Sequence, residues 1–221
     1  MDVHDARSWC IVLTNFGYAV PAVLAAKRKL WYKLFMFISM LGASLFYHLY
    51  DTELWPRRGH RWFNRTQLLD FFISFQLFVM MALVSLGPED ESRAAALGTR
   101  GWLWPQRAIS LSVIGYFMVR KHNAHLDNAV NIPVVFCLVA AWALHYHFVL
   151  GNPGPDEKGR RELARNSMLT LLGLAIYIYI QEQVGPYWFW HSLWHLLCSL
   201  GSFNILRGTL ARPRQEKVAA D

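Results

Sequence analysis

Hydrophobic residues along the chain are grouped into long stretches separated by short polar segments. A helix needs about 20 predominantly apolar residues to cross roughly 30 Å of hydrocarbon, so the pattern predicts membrane-spanning helices. The fourth stretch is short and carries Gln106 and Arg107 near its start, and the sixth ends in the polar run 181–183. Losing either would reverse the orientation of every later span. We predict seven spans, at residues 8–26, 30–50, 67–86, 103–119, 132–150, 166–184 and 187–206.

Lysine and arginine indicate the orientation of these spans, because they accumulate in cytoplasmic loops. With the N-terminus outside, 15 of the 22 basic residues fall on the cytoplasmic side. The sequence therefore predicts an all-α integral membrane protein, a seven-transmembrane helix bundle with its N-terminus outside and its C-terminus cytoplasmic. We expect a single domain over 1–206 and a short polar cytoplasmic tail over 207–221. The first span follows no basic segment and no cleavage motif, so we interpret it as retained rather than as a signal peptide.

Composition agrees with this class. The chain is 54% hydrophobic and only 17% charged, whereas soluble domains are about 25% charged. A soluble enzyme, a disordered protein and a collagen are thereby excluded. The net charge is +7, and the basic residues lie in short clusters between apolar stretches rather than along one polar helix face. No nucleic-acid partner is therefore expected. Cys10, Cys137 and Cys198 lie in apolar stretches and are predicted to pack as small hydrophobic residues without disulfides.

An aspartate at the centre of a helix that inserts into the membrane costs about 2.5–3.5 kcal/mol. Polar and ionisable residues inside the predicted spans are therefore candidates for a functional site. Residues four positions apart lie on one helical face. Three spans carry such pairs: Ser44 and His48, Asp70 and Ser74, His191 and His195.

The seven-span topology places these pairs at a shared depth. The second span runs outward and ends near residue 50, whereas the third and seventh run inward from about 67 and 187. At about 1.5 Å per residue, five side chains then lie within about 12 Å of the outer boundary: Ser44, His48, Asp70, His191 and His195. One miscounted span would put His48 on the opposite side from the histidine pair. The topology and a common site therefore support each other.

Three histidines with a carboxylate suit zinc, and three protein ligands with an open fourth position form the catalytic arrangement. We predict Zn²⁺ on His48, His191 and His195, with water at the open position. Asp70 would orient or deprotonate that water, and the Ser44 hydroxyl would donate to the developing oxyanion. The chemistry implied is hydrolysis of an ester or amide in a lipid that enters sideways.

Each residue alone has an ordinary alternative. A histidine near a helix end commonly hydrogen-bonds to headgroups or water at the interface, as His48 would. Asp70 could cap the third span, a position that the helix dipole favours. Ser44 could simply pack or bond to its own backbone. Only their shared depth favours a common site.

Three further groups carry weaker signals. The first could form a loop metal site but better suits a solvated loop, and the two histidines of the second face nearly opposite ways on a helix. The third is a glycosylation sequon close to the third span, and its occupancy stays open. These groups are His122 with His125 and Asp127, His145 with His147, and Asn64-Arg65-Thr66.

The Ser-x3-His, Asp-x3-Ser and His-x3-His pairs resemble the CREST superfamily. This group of seven-helix membrane proteins contains alkaline ceramidases, adiponectin and progestin receptors, and lipid hydrolases that process GPI anchors. Chain length and the segment 25–29 are most similar to the transmembrane protein 8 branch, which includes myomaker and a phospholipase acting on GPI anchors. The resemblance implies zinc on His48, His191 and His195, with Asp70 and Ser44 near the metal-bound water.

Departures within the branch separate two functions. Myomaker, a fusion protein, lacks the serine, has glutamate for the aspartate and carries a cysteine-rich tail. Here Ser44 and Asp70 are present and 207–221 holds no cysteine, which favours a phospholipase A2-like or ceramidase-like hydrolase over a fusion or adhesion protein with a structural zinc site. A receptor is a third alternative, although short loops offer little surface for a cytosolic effector. The lipid, the oligomeric state, and the choice between plasma membrane and ER or Golgi stay open, with the site expected on the extracellular or luminal side.

Overall fold

Every regular element that the structure describes is helical, as predicted. The computed structural model describes residues 3–55, 60–86, 100–121, 123–151, 157–180 and 183–210. The α-helices are α1 (Val3–Thr14), α2 (Ala19–Lys27), α3 (Trp31–Asp51), α4 (His60–Leu86), α5 (Leu103–Val119), α6 (Asn128–Leu144), α7 (Glu157–Ala175) and α8 (Tyr187–Leu210). A 3₁₀ turn (Asn15–Tyr18) joins α1 to α2, and π-helical turns extend α6 over His145–Val149 and α7 over Ile176–Ile180.

Four helical stretches in the described residues are long and apolar enough to cross a membrane. They indicate a membrane protein and overlap the first, second, third and fifth predicted spans. The helices over the other three predicted spans are shorter or less apolar, so the count of seven and the orientation of the termini stay predictions. The four stretches are Ala6–Lys27, Trp31–Asp51, Trp62–Leu86 and Asn128–Val149.

The chain divides into two compact units. The first comprises Met1–Leu77 and Asn166–Asn204, and the second comprises Phe78–Arg165 and Ile205–Asp221. All five predicted site residues belong to the first unit. The helix α8 continues to Leu210, so the start of the predicted polar tail is helical, whereas 211–221 lie outside the described residues.

Two side-chain contacts fix the register of α3 against α4. The Ser74 hydroxyl donates to the Met40 sulfur at 3.3 Å, and Gln67 Nε2 donates to the Tyr47 hydroxyl at 3.2 Å. From Met40 to Tyr47 the chain advances two turns along α3, while the partner residues on α4 go back by two turns, so the two helices run antiparallel. This register decides which polar residues of the two helices face each other.

The helices α7 and α8 also run antiparallel within the first unit, and their backbones approach closely. The rings of Tyr177 and Trp194 lie 4.8 Å apart. Two turns further along α8, a Cβ placed on Gly201 would lie 2.7 Å from the backbone nitrogen of Thr170. Only glycine allows this approach, since real Cβ atoms do not come so near to a backbone atom.

Replacing Gly201 with alanine should therefore destabilise the protein. The clash is with backbone, so the helices must separate, and overpacking of this kind costs about 1–3 kcal/mol. Gly42→Ala on α3 is the matched control, because nothing lies within 4 Å of a Cβ built there. Thermal unfolding in detergent should show a clearly lower Tm for Gly201→Ala and an unchanged or higher Tm for Gly42→Ala. Equal losses in both variants would contradict the close approach.

In the second unit, polar side chains join α5, α6 and the turn before α6. Trp142 Nε1 donates to the Ser110 hydroxyl at 3.1 Å. Asn131 Nδ2 donates to the carbonyl oxygens of Ala124 and His125 at 2.7 and 3.2 Å. These bonds hold the 3₁₀ turn Ala124–Leu126 against the start of α6.

The described cysteines are all free, as predicted. Cys198 is buried, whereas Cys10 and Cys137 are exposed on their helices. Only Cys198 therefore packs in the protein interior. In a membrane helix an apolar stretch can face lipid as well as protein, so hydrophobicity alone does not place a side chain inside.

Candidate metal site

Three histidine side chains meet in the first unit. His48 lies near the C-terminus of α3, and His191 and His195 lie one turn apart near the start of α8. Their Nε2 atoms form a triangle with sides of 3.0, 3.1 and 3.1 Å. All three side chains are buried, and the atoms are close enough to bind one metal ion. The structure thus brings together the three ligands that the sequence predicts.

Aromatic rings surround the imidazoles and hold their orientation. The Trp194 ring lies 4.5 Å from that of His195, and the Tyr187 ring lies 4.8 Å from that of His191. Tyr18, from the turn between α1 and α2, meets His195 edge-on at 6.3 Å. Packing on several sides leaves the three Nε2 atoms aimed at one point.

Hydrogen bonds alone cannot satisfy this triangle. In a neutral imidazole, Nε2 is either a donor or an acceptor. Among three mutually adjacent nitrogens at least two must be of the same kind, so at least one side of the triangle brings two lone pairs or two N–H groups together. A cation that accepts all three lone pairs removes the conflict.

The donor set and its spacing fit zinc. Imidazole nitrogens at about 2.0–2.1 Å from a tetrahedral zinc ion lie about 3.3–3.4 Å from one another. The observed separations of 3.0–3.1 Å differ by a few tenths of an ångström. Imidazole nitrogens also suit other transition metals, so the donor set does not by itself identify the ion.

Ser44 and Asp70 lie beside each other, about one turn of α3 from His48. Ser44 lies one turn before His48 on the same face of α3, and the α3–α4 register places its hydroxyl beside the Asp70 carboxyl. Both side chains are buried. The two groups are close enough to interact, but neither Ser44 Oγ nor Asp70 Oδ1 makes a hydrogen bond of good geometry in the described part of the chain. Burying such an atom unpaired costs about 1–3 kcal/mol, so both atoms call for a partner such as water or substrate.

Asp51 lies next to the cluster and was missed by the sequence analysis. Its Oδ2 is 4.0 Å from Nδ1 of His48, on the side of the ring opposite the triangle. Asp51 comes just after an apolar stretch, where a charged residue is common at the end of a membrane-spanning helix. An acid three residues after a candidate histidine ligand is the signal that would have found it.

The weaker candidates do not join the histidine triangle. His122 lies outside the described residues, and Asp127 pairs with Arg120 at 3.8 Å. His145 and His147 occupy the π-helical turn after α6, where His145 packs edge-on against aromatic rings of the second unit. Asn64 lies inside α4 rather than in a loop. The three-histidine cluster is the one potential metal site of its kind found among the described residues.

Comparison with known proteins identifies a family without assigning a function. No curated protein matches the chain. A family model described as "Protein of unknown function (DUF3522)" matches residues 4–196. The match covers most of the 221-residue chain and includes all five predicted site residues. The chain therefore belongs to the DUF3522 family.

Proposed function

We propose that this protein is a zinc-dependent intramembrane hydrolase that cleaves an acyl ester or amide bond of a membrane lipid. The observation that carries the proposal is the buried triangle of three Nε2 atoms, with a buried carboxyl and hydroxyl, Asp70 and Ser44, close to each other near His48. Histidine ligands with a neighbouring general base are the parts that metal-assisted hydrolysis needs. The similarity of the three motif pairs to the CREST superfamily supports the same reaction class.

The roles follow from the chemistry of each side chain. His48, His191 and His195 would hold the metal, and zinc bound there supplies an activated water. Asp70 accepts a proton as the water oxygen bonds to the acyl carbon. Ser44 donates a hydrogen bond to the oxygen that gains negative charge. The bond to the leaving group then breaks as Asp70 returns the proton to it, giving a fatty acid and an alcohol or amine.

A structural metal site is the alternative, as in a fusion or adhesion protein. A structural site needs only the three histidine ligands and does not require the buried pair of Ser44 and Asp70. An aspartate inside an apolar helix is costly. A role of Asp70 in catalysis would account for the cost of burying its carboxyl, and we therefore favour the hydrolase.

Helix directions within the first unit support the seven-span topology. The end of α3, the start of α4, the end of α7 and the start of α8 all lie on the side that carries the histidines. The chain leaves this side through α4 and returns to it through α7, so it must cross the membrane an even number of times in between. Asn128–Val149 is long enough to cross. If Asn128–Val149 crosses, an even number of crossings includes α5 as well, in agreement with the seven spans that we propose.

The distribution of basic residues supports a site on the extracellular or luminal side, and we propose the plasma membrane, the ER or the Golgi as its location. Apolar side chains stay exposed along α3, including Phe35, Ile38 and Phe46, as expected where a helix faces lipid. A lipid substrate would enter the site laterally from the outer leaflet.

Metal analysis and lipid cleavage together test the proposal. Protein purified in detergent should contain about one zinc per chain, as three ligands with an open position predict. It should release fatty acid from a panel of glycerophospholipids and ceramides. Chelation should abolish the release and added zinc should restore it. A zinc-loaded protein that cleaves no ester or amide lipid in the panel would instead support the structural site, and a protein without metal would exclude both.

A further inference from the structure

Asp51 is held beside His48 by the way α3 ends. It is the last residue of the helix and lies three positions after His48. Thr52 then closes the helix, because its hydroxyl and its N–H both donate to the His48 carbonyl oxygen, at 2.6 and 3.0 Å. The backbone that carries Asp51 is thereby fixed directly after the histidine. Its side chain is 25% exposed, so the carboxylate lies between the site and the polar end of the helix.

The other ring nitrogen of His48 needs a partner. If Nε2 gives its lone pair to a metal, Nδ1 carries the proton. This Nδ1 is buried and has no hydrogen-bond partner among the described residues. Asp51 Oδ2 lies 4.0 Å away, about 1 Å beyond a good N–H···O bond. A gap of about 1 Å is within the range of a rotamer change at the aspartate, and the proposal includes that change.

His48 and His195 differ in whether a carboxylate lies near Nδ1. The Nδ1 atom of His195 is also buried without a hydrogen-bond partner, but no carboxylate lies within 4.0 Å of it in the described residues. Metal-binding histidines commonly donate their second N–H to a carboxylate, which fixes the tautomer and raises the basicity of the ligand. Of these two, only His48 has an acid in position to do so.

We propose that Asp51 is a positioning residue: its carboxylate accepts the Nδ1–H of His48 and keeps Nε2 unprotonated and directed at the metal. The inference rests on the zinc site proposed above. Losing such a partner commonly lowers metal affinity by about 10–100-fold. Asp51 touches neither substrate nor metal in this role and acts only through His48.

Zinc affinity tests this role directly, by competition with a chromophoric chelator. Asp51→Ala should bind zinc about 10–100-fold more weakly than the wild type. Glu53→Ala is the matched control, because Glu53 is an exposed carboxylate at the same end of α3, and its loss should change affinity by less than about threefold. Asp51→Asn keeps an acceptor oxygen and should recover part of the affinity.

Nitrogen-15 NMR of the histidine rings provides a readout that does not depend on activity. The wild type should show His48 with its proton on Nδ1, and both Asp51 variants should shift that signal. If Asp51→Ala does not fold, Asp51→Asn decides the question through the same two measurements. Equal zinc affinity in the Asp51 and Glu53 variants, with an unmoved His48 signal, would overturn the positioning role and leave the zinc site intact. A wild type that binds no zinc would overturn the proposed function itself.

Discussion

His195→Ala is expected to remove both bound zinc and lipid hydrolysis. His195 is fully buried, and its Nε2 lies 3.0 and 3.1 Å from the other two ligand atoms, so no other described histidine can replace it. Zinc per chain, measured by mass spectrometry, should fall from about one to near zero. Zinc at about 1,000 times its Kd should stabilise the folded wild type by about 4 kcal/mol. The variant should show no zinc-dependent rise in Tm.

His147→Ala separates loss of a ligand from loss of any histidine. His147 is exposed on the π-helical turn after α6 and belongs to the second unit, so its replacement should leave zinc content and hydrolysis unchanged. A His195→Ala protein that keeps a full complement of zinc would contradict the three-histidine site. Loss of zinc in both variants would show that the metal depends on overall folding rather than on this triangle.

The histidine triangle could be predicted from the sequence because two independent regularities agree. Spacing of four residues places His191 and His195 on one helical face, and the depth estimate then brings His48 to the same level. Neither regularity shows which faces turn toward each other. That depends on side-chain contacts such as Gln67 with Tyr47, which no periodicity reports.

The seventh predicted span shows why counting spans is harder than locating helices. The sequence predicts a helix over 187–206, and the structure has one over Tyr187–Leu210. This helix is not among the stretches apolar enough to cross a membrane. His191, Ser192 and His195 lower its mean hydropathy. The polar residues that form the candidate site thus weaken the signal by which a span is recognised.

Other features lie beyond a pattern of apolar and polar residues. The π-helical turns at His145–Val149 and Ile176–Ile180 shift hydrogen bonds by one residue, and hydrophobicity does not change with them. The close approach at Gly201 depends on which face of α8 meets α7. Asp51 was missed because a carboxylate just after a span resembles any interfacial acid until its distance to His48 is known.

Asp70→Asn is expected to separate metal binding from hydrolysis. The amide has nearly the size and shape of the carboxylate but cannot accept the proton, so zinc content should stay near that of the wild type. Loss of a general base commonly lowers the rate about 10²–10⁴-fold. Fatty-acid release per zinc, measured under single-turnover conditions, should fall by that factor. Asp127→Asn is the chemically matched control, since Asp127 lies in the second unit and pairs with Arg120, and it should retain the wild-type rate.

The outcomes of this variant distinguish the two functions. Zinc retained with hydrolysis lost supports Asp70 as the base, because a purely structural role would lower stability or metal content along with the rate. Zinc and hydrolysis both unchanged would contradict the role assigned to the carboxylate. If zinc is lost together with activity, Asp70 maintains the site itself, and the cost of burying it is then explained by the metal rather than by a reaction. Since the α3–α4 register places Asp70 beside Ser44, one turn of α3 from His48, the same measurement also tests whether that register serves catalysis.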